Sequence, residues 1–398
     1  MNNTFEAILK ENWKNKGEFL SITDDENLTE LPSSFSKYKH LKELEICKTK
    51  LKSIDLSKFP KLRKVKLTSN QIESIKVEKL PNLAILELAD NKIKNIEIEN
   101  LPNLLKLNLS YNALERIKLQ KLPSLKTLNL EFNKINEVAI SNLPNLDYLC
   151  IEYNPLENID LENLPNLWYF SCKKHLIREL KLAGFPNLER IDISAGALES
   201  LELSNMPYLD IIWANENKLT QVNIKKLKNL QYLNLNKNLI SQIQLESLPS
   251  LKELKLESNQ LKQLNVESLE GLETLSITHN QLQKLYVNGL PYLETILALG
   301  NQFKEILIKD LPSCKYINLA YNKLVNPQFE GCPCLSSLCL GNNEIKTLDF
   351  VWRLESLVYL ELGGNVDVPL PKEVVWNKNW QKNCAKEAKE YISQRKWK

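Results

Sequence analysis

The chain has 398 residues, 25% of them charged, with 52 Lys and Arg against 49 Asp and Glu and a formal net charge of +3. So even a balance offers no basic stripe for nucleic acid, and no run of about 18 apolar residues offers a membrane span, so neither partner is expected. The opening MNNTFEAILKENWKNKGEF lacks the basic start and unbroken apolar run of a signal peptide, which points to a cytoplasmic protein, a leaderless secreted effector being the other case that would look the same.

In chain order, Phe5, Ile8, Leu9 and Trp13 fall at helical spacing and predict a capping helix. An irregular unit, LSITDDENLTELPSSFSKYKHL (20–41), follows, so residues 1–40 are expected to close the front of the molecule. From 41 to 366 the sequence is periodic. Asparagines stand at 70, 91, 112, 133 and 154, and again at 217, 238, 259, 280, 301, 322 and 343. Thr49, His175 and Gly196 complete the series at a constant spacing of 21, and Asn365 follows at 22, which makes 16 registered units. The unit reads L-P-x-L-x-x-L-x-L-x-x-N-x-I-x-x-I-x-L-x-x, and 12 of the 14 proline slots between 60 and 333 hold Pro, Lys228 and Glu270 being the exceptions.

Each symbol has a physical reason. L-x-x-L-x-L sends an alternating pair inward from a short strand and leaves the residues between them outward. The Asn sits where the chain turns out of the strand, and its amide can both donate and accept, so it suits an internal ladder. The next apolar pair, such as Ile96 and Ile98, alternates with period 2 and predicts an extended return segment. Pro ends that segment, since it cannot donate to a ladder. One unit cannot bury its apolar side alone, whereas a stack shares a continuous core. At the far end Trp376, Trp380, Cys384, Ala388 and Ile392 recur every four residues after Pro371. They predict a C-terminal capping helix over 367–398, with a partner-binding or domain-connecting helix as the alternative.

This pattern resembles the leucine-rich repeat family, and within it the short bacterial-type 21-residue class with a second apolar strand, the IRREKO repeats. The resemblance covers roughly residues 41–365. It implies a leucine-rich repeat solenoid: a curved right-handed array with a concave parallel β-sheet, short extended segments on the convex side and helical caps at both ends. It departs from the internalins, since no secretion leader or cell-wall anchor is visible.

Chemistry is sparse. Eight cysteines form no CxxC pair, and Cys172, Cys314 and Cys332 occupy leucine positions, so they read as small core residues rather than metal ligands. Three histidines and the absence of GxxxxGK[ST], HExxH, GxSxG and GxGxxG give no catalytic constellation and no cofactor site. A non-catalytic monomer is expected.

The outward strand residues lie six, four and two places before each Asn slot, and most are polar. The middle of the array differs, with Tyr148, Trp168, Tyr169, Ile211, Trp213 and Tyr232 in or beside these slots. Tyr111, Phe132 and Tyr153 occupy the slot next to the Asn along the adjoining rim. Tyr and Trp offer large contact area at small entropy cost, so these residues are candidate partner contacts, against the plain alternative of cross-strand stabilisation. His175, a break in the Asn series inside this stretch, joins them. The expected function is capture of a protein partner on the concave face. Alternatives are an enzyme inhibitor acting by steric occlusion, a recognition fragment of a larger signalling protein, and a carbohydrate binder, since stacked Trp and Tyr also suit sugars.

Overall fold

The computed structural model describes residues 17–245 and 248–365. The expected helix around Phe5–Trp13 and the one over 367–398 lie outside the described residues. Within them the regular elements are strands and three short 3-10 segments, Ser33–Lys37, Leu56–Lys58 and Asp349–Arg353. The chain divides into two compact units, Met1–Leu198 with Asn205–Leu209, and Glu199–Ser204 with Asp210–Lys398.

Both units are parallel β-solenoids. In the first, nine described front strands run from Phe19–Thr23 to Arg190–Asp192, and in the second, eight run from Ile211–Trp213 to Tyr359–Glu361. Register follows the repeat: Leu107 pairs Leu128, Leu128 pairs Leu149, and Leu149 pairs Phe170, each one unit apart. The irregular first unit is longer, so Phe19 pairs Glu43. Inward residues such as Leu104, Leu107 and Leu109 are wholly buried, while their neighbours face out, as a two-residue period requires.

The return segments are extended, as the alternation predicts, but they pair in short groups. In the first unit Ser53–Asp55 pairs Ser74–Lys76, Glu97–Glu99 pairs Lys118–Gln120, and Glu137–Ser141 pairs Asn158–Glu162. In the second, Ser200–Ser204 pairs Gln221–Lys225, and Lys284–Asn288, Glu305–Lys309 and Gln328–Glu330 form a further group.

The asparagines do make an internal ladder. Asn154 Nδ2 donates to Ile151 O in its own unit (3.2 Å) and to Leu130 O in the unit before (2.9 Å), while its Oδ1 accepts from Ile135 N (3.0 Å). In the second unit Asn238 repeats the scheme with Leu235 O, Ala214 O and Leu219 N. At the first slot Thr49 acts as a relay, its hydroxyl accepting from Leu51 N and donating to Asn70 Oδ1. A second, exposed ladder runs along the proline turns, where the residue after Pro donates to the preceding Pro carbonyl: Asn103 to Pro81, Ser124 to Pro102, Asn145 to Pro123.

The two ladders differ in weight because one is buried. Asn154→Ala removes the partners of buried backbone groups, each costing about 1–3 kcal/mol when left unpaired, so a loss on the order of 3 kcal/mol is expected in urea unfolding. Asn103→Ala opens a bond that water replaces, and a loss below about 1 kcal/mol is expected.

Candidate functional site

In the first unit the front strands Tyr148–Cys150 and Tyr169–Ser171 are paired, which sets Tyr148 beside Tyr169. Their rings stack at 4.8 Å with 6° between planes, and Trp168 meets Tyr169 at 5.6 Å and 55°. Trp168 is 37% exposed and the two tyrosines are half-buried. Burial pushes both phenols above their ordinary value, so they stay neutral donors. Cys150, though in an outward slot, is covered, and burial lifts its thiol to about 12.

Beside the rings lies a charged strip that the aromatic reading missed. Lys173 Nζ pairs Asp192 Oδ2 at 2.9 Å and reaches Glu152 Oε1 at 3.8 Å. Glu152 also accepts from Ser171 Oγ at 2.6 Å, and Asp192 from Ser194 Oγ at 2.6 Å. Burial and the adjacent Glu152 hold the Glu131 carboxyl above the usual carboxylate range. Two carboxylates thus pair with one ammonium and Glu131 adjoins Glu152, leaving an acidic excess next to the stacked rings. Glu131, Glu152 and Lys173 stand two places before successive ladder slots, and comparing that column across units would have revealed them.

Along the rim, Tyr111, Phe132 and Tyr153 stack face to face at 4.5 and 4.1 Å. All three have φ between 51° and 53°, a left-handed turn that bulky residues seldom adopt.

His175 corrects the expectation of a displayed contact. It is 2% exposed and fills the ladder. Its Nδ1 accepts from Ile177 N at 3.1 Å and its Nε2 lies 3.3 Å from Ile193 O. In a regular unit these two backbone groups belong to the asparagine one repeat later, which here would be residue 196. A side chain at 196 would collide with the His175 ring. The His175–Gly196 pair is therefore a two-residue replacement for an asparagine. The tautomer follows from the partners: an N–H can only donate to Nδ1 and a carbonyl can only accept from Nε2–H. Burial lowers the imidazole pKa, against the opposing pull of the Nε2–H bond to Ile193 O.

In the second unit Ile211 and Tyr232 are strand partners, and Trp213 opposes Asn234. Tyr232 is 39% exposed, and Ile211 and Trp213 are half-buried while Ile212 and Ala214 point inward and are covered. All three side chains take the outward slots read from the sequence.

A family model described as leucine rich repeat matches residues 60–114 and 81–135, and the repeat spacing and solenoid carry the same pattern along the rest of the described residues. The chain carries leucine-rich repeats and folds as a leucine-rich repeat solenoid. Its 21-residue period fits the bacterial class. A leucine-rich repeat protein from Leptospira interrogans is similar over 95% of this chain and 96% of its own, at 22% identity and a TM-score of 0.58. YopM from Yersinia enterocolitica is similar over 92% of this chain and 82% of its own, at 21% identity and 0.57. The plant peptide hormone receptor RGFR1, solved in complex with RGF2, is similar over 88% and 71%, at 16% identity and 0.53. These likenesses concern the fold. No curated protein matches the sequence.

Among the described residues no group of three or more His, Cys, Asp or Glu is arranged to hold a metal, and no helix is long and apolar enough to cross a membrane.

The His175–Gly196 replacement generates a double-mutant test. Gly196→Asn alone drives a side chain into the imidazole, and a loss of about 1–3 kcal/mol is expected. Adding His175→Asn restores the standard ladder and recovers most of it, a coupling above about 1 kcal/mol. Because the folded pKa of His175 lies below the unfolded value of ~6.5, its contribution is whole above that value and is lost as pH falls through and below it. Chemical unfolding from pH 7 to 5 should therefore show an acid-dependent loss in the wild type that is smaller in the double variant.

Proposed function

We propose that this leucine-rich repeat solenoid is a non-catalytic scaffold that captures a protein partner on its front sheet. The observation that carries the reading is the stacked Tyr148–Tyr169 pair with the exposed Trp168, set beside a strip with an excess of carboxylates. Rigid aromatic rings supply hot-spot area with few rotors to order. A neighbouring acidic strip favours a partner that brings Arg or Lys to the centre of the contact and disfavours acidic competitors. Ile211, Trp213 and Tyr232 give the second unit a contact patch of its own. The plant receptor with the same fold was solved with a peptide hormone, which supports a peptide or protein as the class of ligand. The chain would act in the cytoplasm, or as a secreted effector, and as a monomer.

Affinity capture tests this with wild type, a Tyr169→Ala/Trp168→Ala variant, and a Trp213→Ala/Tyr232→Ser variant, after circular dichroism shows all three fold alike. A protein partner held by the wild type and weakened roughly 30-fold or more by the first variant is the expected result, since hot-spot truncation costs about 2 kcal/mol. A partner held equally by the wild type and both variants overturns the placement of the site.

A further inference from the structure

Charge is balanced over the whole chain but not along it. Residues 37–66 hold 11 Lys and Arg against 3 Asp and Glu, while the other 368 residues hold 41 against 46. This basic stretch lies wholly in the first unit. Lys42, Lys48, Lys50 and Lys58 are paired with Glu18, Asp24, Glu26 and Asp55. Among the described residues the other seven cations make no ion pair.

Four of the seven, Lys37, Lys39, Lys61 and Arg63, are exposed along one edge, at the turns that lead into the front strands. Backbone hydrogen bonds of 2.6–2.8 Å string that edge into a column: Lys42 N donates to Glu18 O, Arg63 N to Lys42 O, Ala84 N to Arg63 O and Leu105 N to Ala84 O. Lys61 stands two residues before Arg63. Lys37 ends the 3-10 segment Ser33–Lys37, and Lys39 lies in the turn between it and Lys42. The Glu18 carboxylate meets Lys42 Nζ at 2.6 Å, and that bond holds it below the usual carboxylate range, with Arg63 and Lys61 pulling the same way. Two rungs past Arg63 the column displays an apolar side chain, Leu105, 42% exposed.

We propose that this edge of the first unit docks on an anionic lipid surface, with Lys37, Lys39, Lys61 and Arg63 against the headgroups and Leu105 entering the boundary with the acyl chains. Unpaired cations call for an anionic partner, and each Lys or Arg held close to a charged bilayer adds to the attraction. Three of the four are Lys, a compact hydrated charge that suits a diffuse array of headgroups better than bidentate recognition of one carboxylate. Single-stranded nucleic acid stacks its bases on exposed rings between cations, and the rings of this stretch, Tyr38 and Phe59, are buried. An acidic protein segment would use the charges and leave the leucine in line with them idle. A bilayer uses both, because interfacial binding adds apolar burial to electrostatic attraction. The edge needs no membrane-spanning helix for this, since it lies on the surface.

Co-sedimentation of the full chain with vesicles tests the assignment. Binding is expected to vesicles of phosphatidylcholine and phosphatidylserine in equal parts, and not to phosphatidylcholine alone. It should fall away as salt rises from about 0.1 M to about 1 M, where the Debye length shrinks from ~10 Å to ~3 Å. Lys61→Glu/Arg63→Glu should weaken binding at least about tenfold. Lys48→Glu/Lys50→Glu, which changes net charge equally at the other end of the strand Glu43–Cys47, should weaken it much less. Leu105→Ser should weaken it without altering the salt dependence. All these side chains are exposed, so thermal unfolding of each variant should match the wild type. Glycerophosphoserine, the headgroup without acyl chains, should fail to compete at millimolar concentration. No preference for the anionic vesicles, equal loss in the two charge-reversal variants, full competition by the free headgroup, or tighter binding to polyglutamate or a DNA duplex overturns the proposal.

Discussion

The buried side-chain amide between units is the interaction on which the rest of this molecule depends. Past the Thr49 relay at Asn70, the ladder Asn joins its own strand to the backbone of the unit before it at recurring offsets, 24 residues back to one carbonyl and 19 back to one N–H, as at Asn91, Asn154 and Asn280. A repeat of any other length would break one of these bonds unless the extra residue were absorbed elsewhere. The last unit shows such absorption. Asn365 reaches back 25 and 20 residues to Leu340 O and Ile345 N, and the added residue lies in the stretch that includes the 3-10 segment Asp349–Arg353. Fixed ladder geometry also forces the turn before each Asn into the left-handed region, even where the residue is Tyr or Phe.

Because the ladder and the inward leucines carry cohesion, the outward columns are free to vary. Front and back have diverged accordingly. The front of the first unit concentrates aromatic rings and carboxylates, whereas the back of the second unit carries amide side chains at Gln221, Gln242 and Gln263. Paired opposite charges such as Lys106–Glu87, both partly exposed, add little by comparison.

Much of this was legible from the residues. The spacing of 21 predicted the strand pairings to the residue, Tyr148 with Tyr169 and Ile211 with Tyr232 among them. The alternation at Glu97–Glu99 and Glu137–Ser141 predicted extended return segments. Burial direction held too, with Trp213 outward and Ile212 inward. What escaped was the role of His175, because composition cannot show an imidazole reaching across to the next unit's backbone. The clue was that both breaks fell in consecutive slots, so that a large ring stood opposite a missing side chain. Interruption of the back pairing also escaped, since paired and unpaired return segments share one apolar period. The proline-turn ladder was hidden because Asn and Ser after Pro read equally well as plain turn residues.

Repeat arrays grow and shrink by recombination between their own units, and a uniform ladder tolerates that, since any unit can follow any other. The His175–Gly196 pair is an exception. A crossover falling between these two positions would place an imidazole against an ordinary asparagine, or a glycine after one, leaving a collision in the first case and an unfilled amide slot in the second. Those two units work only as a block, and the block is a fixed point for any rearrangement of the array.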